Sequence, residues 1–218
     1  MIRLYGFWRS QATFRVRAAL NLKGLAYEET MLDLDAGEQL TPQHLARNPQ
    51  GAVPVLSIDD GPGLTQSMAI LEYLEERFPK PPLLPADALG RARVRSLALL
   101  FAADHHPLVV PRVRKYLAEV LHLDDAQRAA WGQHWLREGL KAAEARLAVE
   151  PETGRYCHGE ALSFADLCLT HHVLAARSAR VEMAAFPTVS RIAEACLAVD
   201  AIARAQPLRQ AGAPGRAA

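Results

Sequence analysis

The spacing of apolar residues changes near residue 80. Before it, short strand-like runs alternate with helical stretches; beyond it, only helical spacing recurs. Ile2 to Gly6 reads as a short strand, and Thr13 to Lys23 as a helix with Val16, Ala19 and Leu20 on one face, stopped by Gly24. Ala26 to Leu34 can form a second strand. Thr41-Pro42 marks a helix start, with Thr41 as cap and Pro42 at the first helical position. Val53-Pro54-Val55-Leu56-Ser57-Ile58, a turn at Asp59-Asp60-Gly61 and Leu64-Thr65-Gln66 together predict a β-hairpin. Ser67 is then expected to cap a helix whose buried face is Ile70, Leu71, Leu74 and Phe78. The order β-α-β-α-β-β-α describes a small sheet covered by helices.

Pro79, Pro81, Pro82 and Pro85 interrupt any helix and mark a linker. Beyond Asp87, Arg91 to Lys115 reads as one long helix or a pair kinked around Pro107 and Pro111, and Asp125 to Val149 as another. Ser163-Phe164-Ala165-Asp166 is an acidic capping box that starts a buried helix, Leu167 to Arg177. Pro187 opens a last long helix, and the Ala/Gly/Pro/Arg tail after about Gln210 is expected to be disordered. The expected domains are therefore 1–79, a mixed α/β unit, and 87–212, an all-α unit, with neither strand pattern nor internal repeat in the second half.

Half of the 218 residues are hydrophobic, enough for the cores of two small domains. Lys plus Arg number 25 against 24 acidic residues, a formal charge of +1, which lacks the basic excess of a nucleic-acid partner. Met1-Ile2-Arg3-Leu4 does not begin a basic-then-apolar signal sequence, and no apolar run has membrane-spanning length. Cys157, Cys168 and Cys196 form no C-x-x-C pair, and the eight histidines show no zinc-type spacing with them. These features point to a reduced, cytoplasmic protein without a metal.

The chemistry concentrates at Phe7-Trp8-Arg9-Ser10-Gln11-Ala12, between a strand and a helix. Ser10 there sits beside an arginine at the positive end of a helix, a place to hold an anion or favour a thiolate. A redox protein of this local shape would carry two cysteines at the turn; here any thiol must come with a ligand.

The mixed sheet, proline linker and helical second half resemble the soluble glutathione transferases. Trp8-Arg9-Ser10 followed by Arg15-Val16-Arg17-Ala18-Ala19-Leu20-Asn21-Leu22-Lys23-Gly24 resembles their zeta class, as do Asn48-Pro49, Val53-Pro54, Gln66-Ser67, the stretch from Tyr156-Cys157 to Leu169, Leu83-Leu84-Pro85, Phe186-Pro187-Thr188 and Pro207-Leu208-Arg209-Gln210. That class contains maleylacetoacetate and maleylpyruvate isomerases. The resemblance implies a thioredoxin-like N-terminal domain, an all-helical C-terminal domain, glutathione as coenzyme and a homodimer. It makes Ser10 the catalytic hydroxyl, and it implies a cis bond at Val53-Pro54 that exposes the Val53 main chain to the cysteinyl backbone of glutathione. Gln66-Ser67 would grip the γ-glutamyl carboxylate, with Gln50 and His106 as further contacts. Arg9, Arg112 and Arg177 would surround a dicarboxylate, and Trp8 would wall the substrate pocket.

Simpler readings stand beside these roles. Ser10 and Ser67 can be helix caps, Pro54 an edge-strand proline and Gln50 a loop glutamine. Arg177 can complement a helix dipole, and Arg112 can belong to a solvated face with Arg114 and Lys115. The chain also departs from the class: Ala12 stands where relatives carry Cys or Thr, with Thr13 as a partial substitute, and Val109-Val110 replace polar residues of some isomerases. The leading expectation is glutathione-dependent cis–trans isomerisation of a maleyl-type keto acid by reversible thiolate addition. The alternatives are a general transferase or dehalogenase of small electrophiles, and a transferase-fold protein that binds without turnover.

Overall fold

The computed structural model describes residues 1–59 and 61–215. Asp60 of the expected hairpin turn and residues 216–218 of the expected disordered tail lie outside them. Contacts divide the chain into two units, 83–198 and a sheet-bearing unit in which 199–218 joins 1–82.

In the sheet unit, β1 (Ile2–Gly6) is central, parallel to β2 (Glu28–Met31) and antiparallel to β3 (Val55–Ile58). β4 (Leu64–Thr65) closes the order β2-β1-β3-β4, pairing Val55 with Thr65 and Leu56 with Leu64. The side chains of Ile2 and Leu4 go inward and Arg3 outward, as strand alternation requires. Helix α1 (Gln11–Leu22) begins two residues earlier than its apolar period suggests, because Ser10 caps it: Ser10 Oγ accepts the Thr13 N–H at 3.1 Å. It ends in a Schellman turn, with Leu25 N–H donating to Leu20 O and Gly24 N–H to Asn21 O while Gly24 takes φ +65°. Thr41 caps the short α2 (Pro42–Leu45), and α3 (Ser67–Arg77) buries Ile70, Leu71 and Leu74.

One expectation is corrected here. Ser67 is not the cap of α3 but its first residue; Gln66 occupies the cap position with φ +65° and no side-chain cap bond. That backbone hands the Ser67 hydroxyl to another partner, described below.

The helical unit contains α4 (Ala88–Leu99), α5 (Pro111–Glu119), α6 (Asp125–Leu147), α7 (Phe164–Ser178) and α8 (Pro187–Leu197). The stretch between α4 and α5 is neither one helix nor a simple kink. It is a π-helical turn, Leu100–His105, followed by a 3-10 turn, His106–Leu108. Pro107 and Pro111 lack the N–H that a continuous ladder would need. After α8, a further helix α9 (Asp200–Ala205) packs against α1, and residues 211–215 are not loose: Ala213 is 2% exposed.

The capping box of α7 is buried. Asp166 is fully buried and accepts hydrogen bonds from Ser163 N–H (2.8 Å), Ser163 Oγ (2.7 Å) and Cys157 N–H (2.8 Å). Burial pushes its carboxyl above the usual carboxylate range, and the bonds from Cys157 and Ser163 pull the other way. Removing the carboxylate strands three buried donors. Asp166→Ala is therefore expected to lower the unfolding free energy by about 2–4 kcal/mol, measured by urea denaturation of the full chain.

Candidate active site

The loop from β1 to α1 is shaped by close approach. A Cβ on Gly6 would lie 2.4 Å from Thr13 Cγ2 and 2.5 Å from Glu29 Oε1, so only glycine lets the start of α1 sit this near the strand end. Arg17, fully buried on α1, then fixes the loop from beneath. Its Nε reaches both Glu29 oxygens at 2.9 and 2.8 Å, Nη2 donates to Phe7 O at 3.0 Å, and Nη1 to Trp8 O at 3.4 Å. With those carbonyls turned inward, Arg9 is left exposed and Ser10 half-exposed.

Ser10 is both cap and candidate catalytic hydroxyl. Its oxygen accepts from Thr13 N–H, which leaves its own proton to be donated outward. Thr13 cannot replace the polar group missing at Ala12. It is fully buried, and its side chain faces Gly6. Arg9 lies over the rings of Phe7 and Trp8, at 5.2 and 5.7 Å from their centroids, and its Nη2 holds both Asp35 oxygens at 2.7 and 2.8 Å. Trp8 is half-buried, edge-on to Phe7.

The second element is the cis peptide at Val53-Pro54. Two buried side chains pin the carbonyl before it: His44 Nε2 lies 3.0 Å from Ala52 O, and Asn48 Nδ2 donates to the same oxygen at 2.8 Å. Asn48 Oδ1 also accepts the Gln50 N–H at 3.1 Å, and Gln50 Oε1 accepts from Gln66 Nε2 at 2.8 Å. The structure therefore joins Gln50 and Gln66 in one exposed amide pair beside β3.

The third element is the N-terminus of α3. Ser67 is 6% exposed, and its Oγ accepts from Nη1 of buried Arg15 at 3.0 Å. The first N–H groups of a helix lack intrahelical partners and, with this hydroxyl, suit an anion. A cis-proline turn before β3, a helix start suited to an anion and a half-exposed hydroxyl fit a γ-glutamyl tripeptide carrying a thiol.

The other candidates lie in the helical unit. His106 is half-buried in the 3-10 turn, and Arg112 is exposed in the first turn of α5. Arg177, in the last turn of α7, places Nη2 2.7 Å from Glu194 Oε1. Val109 and Val110 are half-buried. His105 Nδ1 lies 2.8 Å from Leu100 O and His172 Nε2 2.9 Å from Leu136 O, both structural contacts, while Trp131 and Trp135 stack edge to face. Burial pushes the thiols of Cys157 and Cys196 up, so neither offers a thiolate. No group of three or more His, Cys, Asp or Glu among the described residues could hold a metal ion. No helix among them is long and apolar enough to cross a membrane.

Residues 1–76 match the family of the glutathione S-transferase N-terminal domain. Maleylacetoacetate isomerase of Rhizobium meliloti is 47% identical over 94% of this chain and 96% of its own. The chain belongs to the maleylacetoacetate/maleylpyruvate isomerase family. A crystal structure of maleylacetoacetate isomerase from Methylobacterium extorquens AM1, with bound malonate and glutathione, superposes with a TM-score of 0.96 at 55% identity, covering 98% of this chain and 100% of that one. The holo structure of maleylpyruvate isomerase, a bacterial zeta-class glutathione transferase, gives 0.93 at 42%, covering 97% and 99%. The thioredoxin-like sheet and the helical unit are those of this family of enzymes.

Sequence reasoning passed over the supports beneath the family's motif residues. Arg15 and Arg17 were read only as parts of a motif, and His44 and Asp35 carried no signal. Arginines spaced by two on a helix with no exposed stripe were the available clue. Arg17→Met would leave Glu29 in a largely buried site without its partner. It is expected to destabilise the protein by about 3–5 kcal/mol, read from thermal and urea unfolding, whereas Arg3→Met, at the exposed end of β1, should change stability by less than about 1 kcal/mol.

Proposed function

We infer that this protein is a glutathione-dependent cis–trans isomerase of maleyl-type keto acids. The observation that carries the reading is Ser10: a half-exposed hydroxyl at a helix N-terminus, next to Arg9, in a protein whose own described thiols are buried. Names of relatives at 40–55% identity over nearly the full length agree with it. Glutathione, when bound, supplies a thiolate that adds to the cis double bond and leaves again after rotation.

Ser10 donates its hydroxyl proton toward the sulfur. This favours the thiolate over a thiol whose ordinary pKa is about 8.5. Val53, on the cis-Pro54 edge, offers its main-chain N–H and C=O to the cysteinyl unit, an added-strand interaction. Ser67 and the start of α3 hold the γ-glutamyl carboxylate, with Gln66, Gln50 and His106 as further contacts. Arg9 serves a substrate carboxylate and the negative charge that develops on the keto oxygen; such charge stabilisation is the largest catalytic contribution expected. Arg112 and Arg177 take the distal carboxylate, and Trp8 packs against the carbon chain. The domains proposed for these tasks are 1–79 for glutathione and 87–212 for the substrate.

A second reading, conjugation or dehalogenation of small electrophiles, is favoured by the apolar pair Val109-Val110 and by Ala12. The two differ in stoichiometry, because isomerisation returns the thiol and conjugation consumes it. We further propose a cytoplasmic homodimer, in keeping with free cysteines, and sedimentation of the full chain tests the dimer.

With maleylpyruvate and catalytic glutathione, conversion of the cis-enone absorbance to that of the trans-enone with free thiol unchanged is the expected result; loss of enone absorbance with thiol falling in step would establish conjugation instead. Ser10→Ala is expected to lower kcat/KM by about 10²-fold and to raise the pKa of bound glutathione's thiol. An unchanged rate would remove Ser10 from the mechanism.

A further inference from the structure

Arg15 lies within α1, 1% exposed, and donates from Nη1 to Ser67 Oγ at 3.0 Å. A guanidinium has donors only and keeps its charge at all working pH values. The polarity of this bond is therefore fixed: Ser67 accepts. A serine hydroxyl has a single proton, and with its oxygen engaged by a cation that proton is free to be given elsewhere. A serine serving as an ordinary cap would instead spend its oxygen on an N–H of its own helix. Ser67 does not do this. It stands one place inside α3, because Gln66 holds the cap position in a left-handed backbone at φ +65°. No acidic residue occupies the first turn of α3 to compete for an anion.

We propose that Arg15 is a positioning residue of this site: by engaging the Ser67 oxygen from inside the fold, it commits the Ser67 proton to the α-carboxylate of a γ-glutamyl ligand. The proposal rests on the reading that glutathione binds with that carboxylate at α3. It predicts that Arg15 acts on one end of the ligand and leaves the rest alone. A purely structural arginine would affect every part of the ligand equally.

Calorimetric titration of the full-length protein with three peptides separates these cases. The first is glutathione; the second is butyryl-cysteinylglycine, the same tripeptide without the γ-glutamyl α-amino and α-carboxylate groups. The third, 4-aminobutyryl-cysteinylglycine, lacks only the carboxylate and keeps the amine, so it isolates the anion. Wild-type protein is expected to prefer glutathione to both analogues by tenfold or more. Arg15→Met should lose most of that preference by weakening glutathione about tenfold while leaving the analogues' affinities unchanged. Ser67→Ala should do the same, and the double variant should lose no more than either alone.

Arg15→Met that weakens all three peptides equally, or keeps the full preference, overturns the proposal while the glutathione reading stands. Wild-type protein that binds glutathione and the analogues equally overturns both. Should Arg15→Met not fold, Arg15→Lys carries the test. It keeps the charge but not the planar reach, and an undiminished preference for glutathione in that variant overturns the proposal as well.

Discussion

The ligand-facing surface of the sheet unit depends on a buried charge. Arg17 has no exposed surface, and burying an unpaired guanidinium would cost several kcal/mol. Glu29 on β2 and the carbonyls of Phe7 and Trp8 together offset that cost, and in doing so they fix the loop's shape. The constraint then propagates. Glu29 occupies the space where a side chain on residue 6 would go, so β1 must end in glycine, and the start of α1 settles against the strand end. Strand pairing, helix start and ion pair form one condition, and Ser10 stands where all three are met.

The same device recurs along α1. Arg15 reaches the start of α3, Arg17 the loop before Ser10, and Lys23 the end of α3, where its Nζ donates to Glu75 Oε2, Phe78 O and Pro81 O at 2.8, 2.8 and 3.0 Å. His44 and Asn48 likewise pin the Ala52 carbonyl beside the cis bond. Each support is a buried donor whose bonds hold a loop or a helix end in place from within the fold. A site for a flexible peptide gains from such rigidity, since the ordering cost has been met in folding rather than on binding.

Local chemistry was legible in the sequence, and long-range pairing was not. Gly24 as a helix stop, Thr41-Pro42 as a helix start and the Ser163–Asp166 box are each decided by a few adjacent residues, and the structure has all three. The buried face of α1 was read only as Val16, Ala19 and Leu20, because arginine is ordinarily a surface residue. Arg17 is buried by a carboxylate twelve positions away on a strand, and Arg15 meets a serine fifty-two positions away. Neither distance leaves a periodicity. Ser67 looked like a cap because serine favours that place, whereas the left-handed backbone that displaces it belongs to Gln66, a residue with no preference for it. The order of π-helical and 3-10 turns before α5 is likewise set by packing around prolines rather than by their number.

Arginine count alone is a poor guide to how such a site would hold a dicarboxylate. Arg9 and Arg177 already carry Asp35 and Glu194, so a carboxylate that met either arginine would exchange with a protein carboxylate instead of meeting a bare cation. Both pairs are partly solvated, and pairs of that kind are worth only about 0–1 kcal/mol, so the exchange costs little. What the resident acids do provide is orientation: the Arg9 guanidinium is kept over Phe7 and Trp8 by Asp35 before any ligand arrives. On the proposed reading, selectivity for anions then rests on the difference between two similar carboxylate bonds, with a larger share left to the start of α3, whose first turn holds no acidic residue.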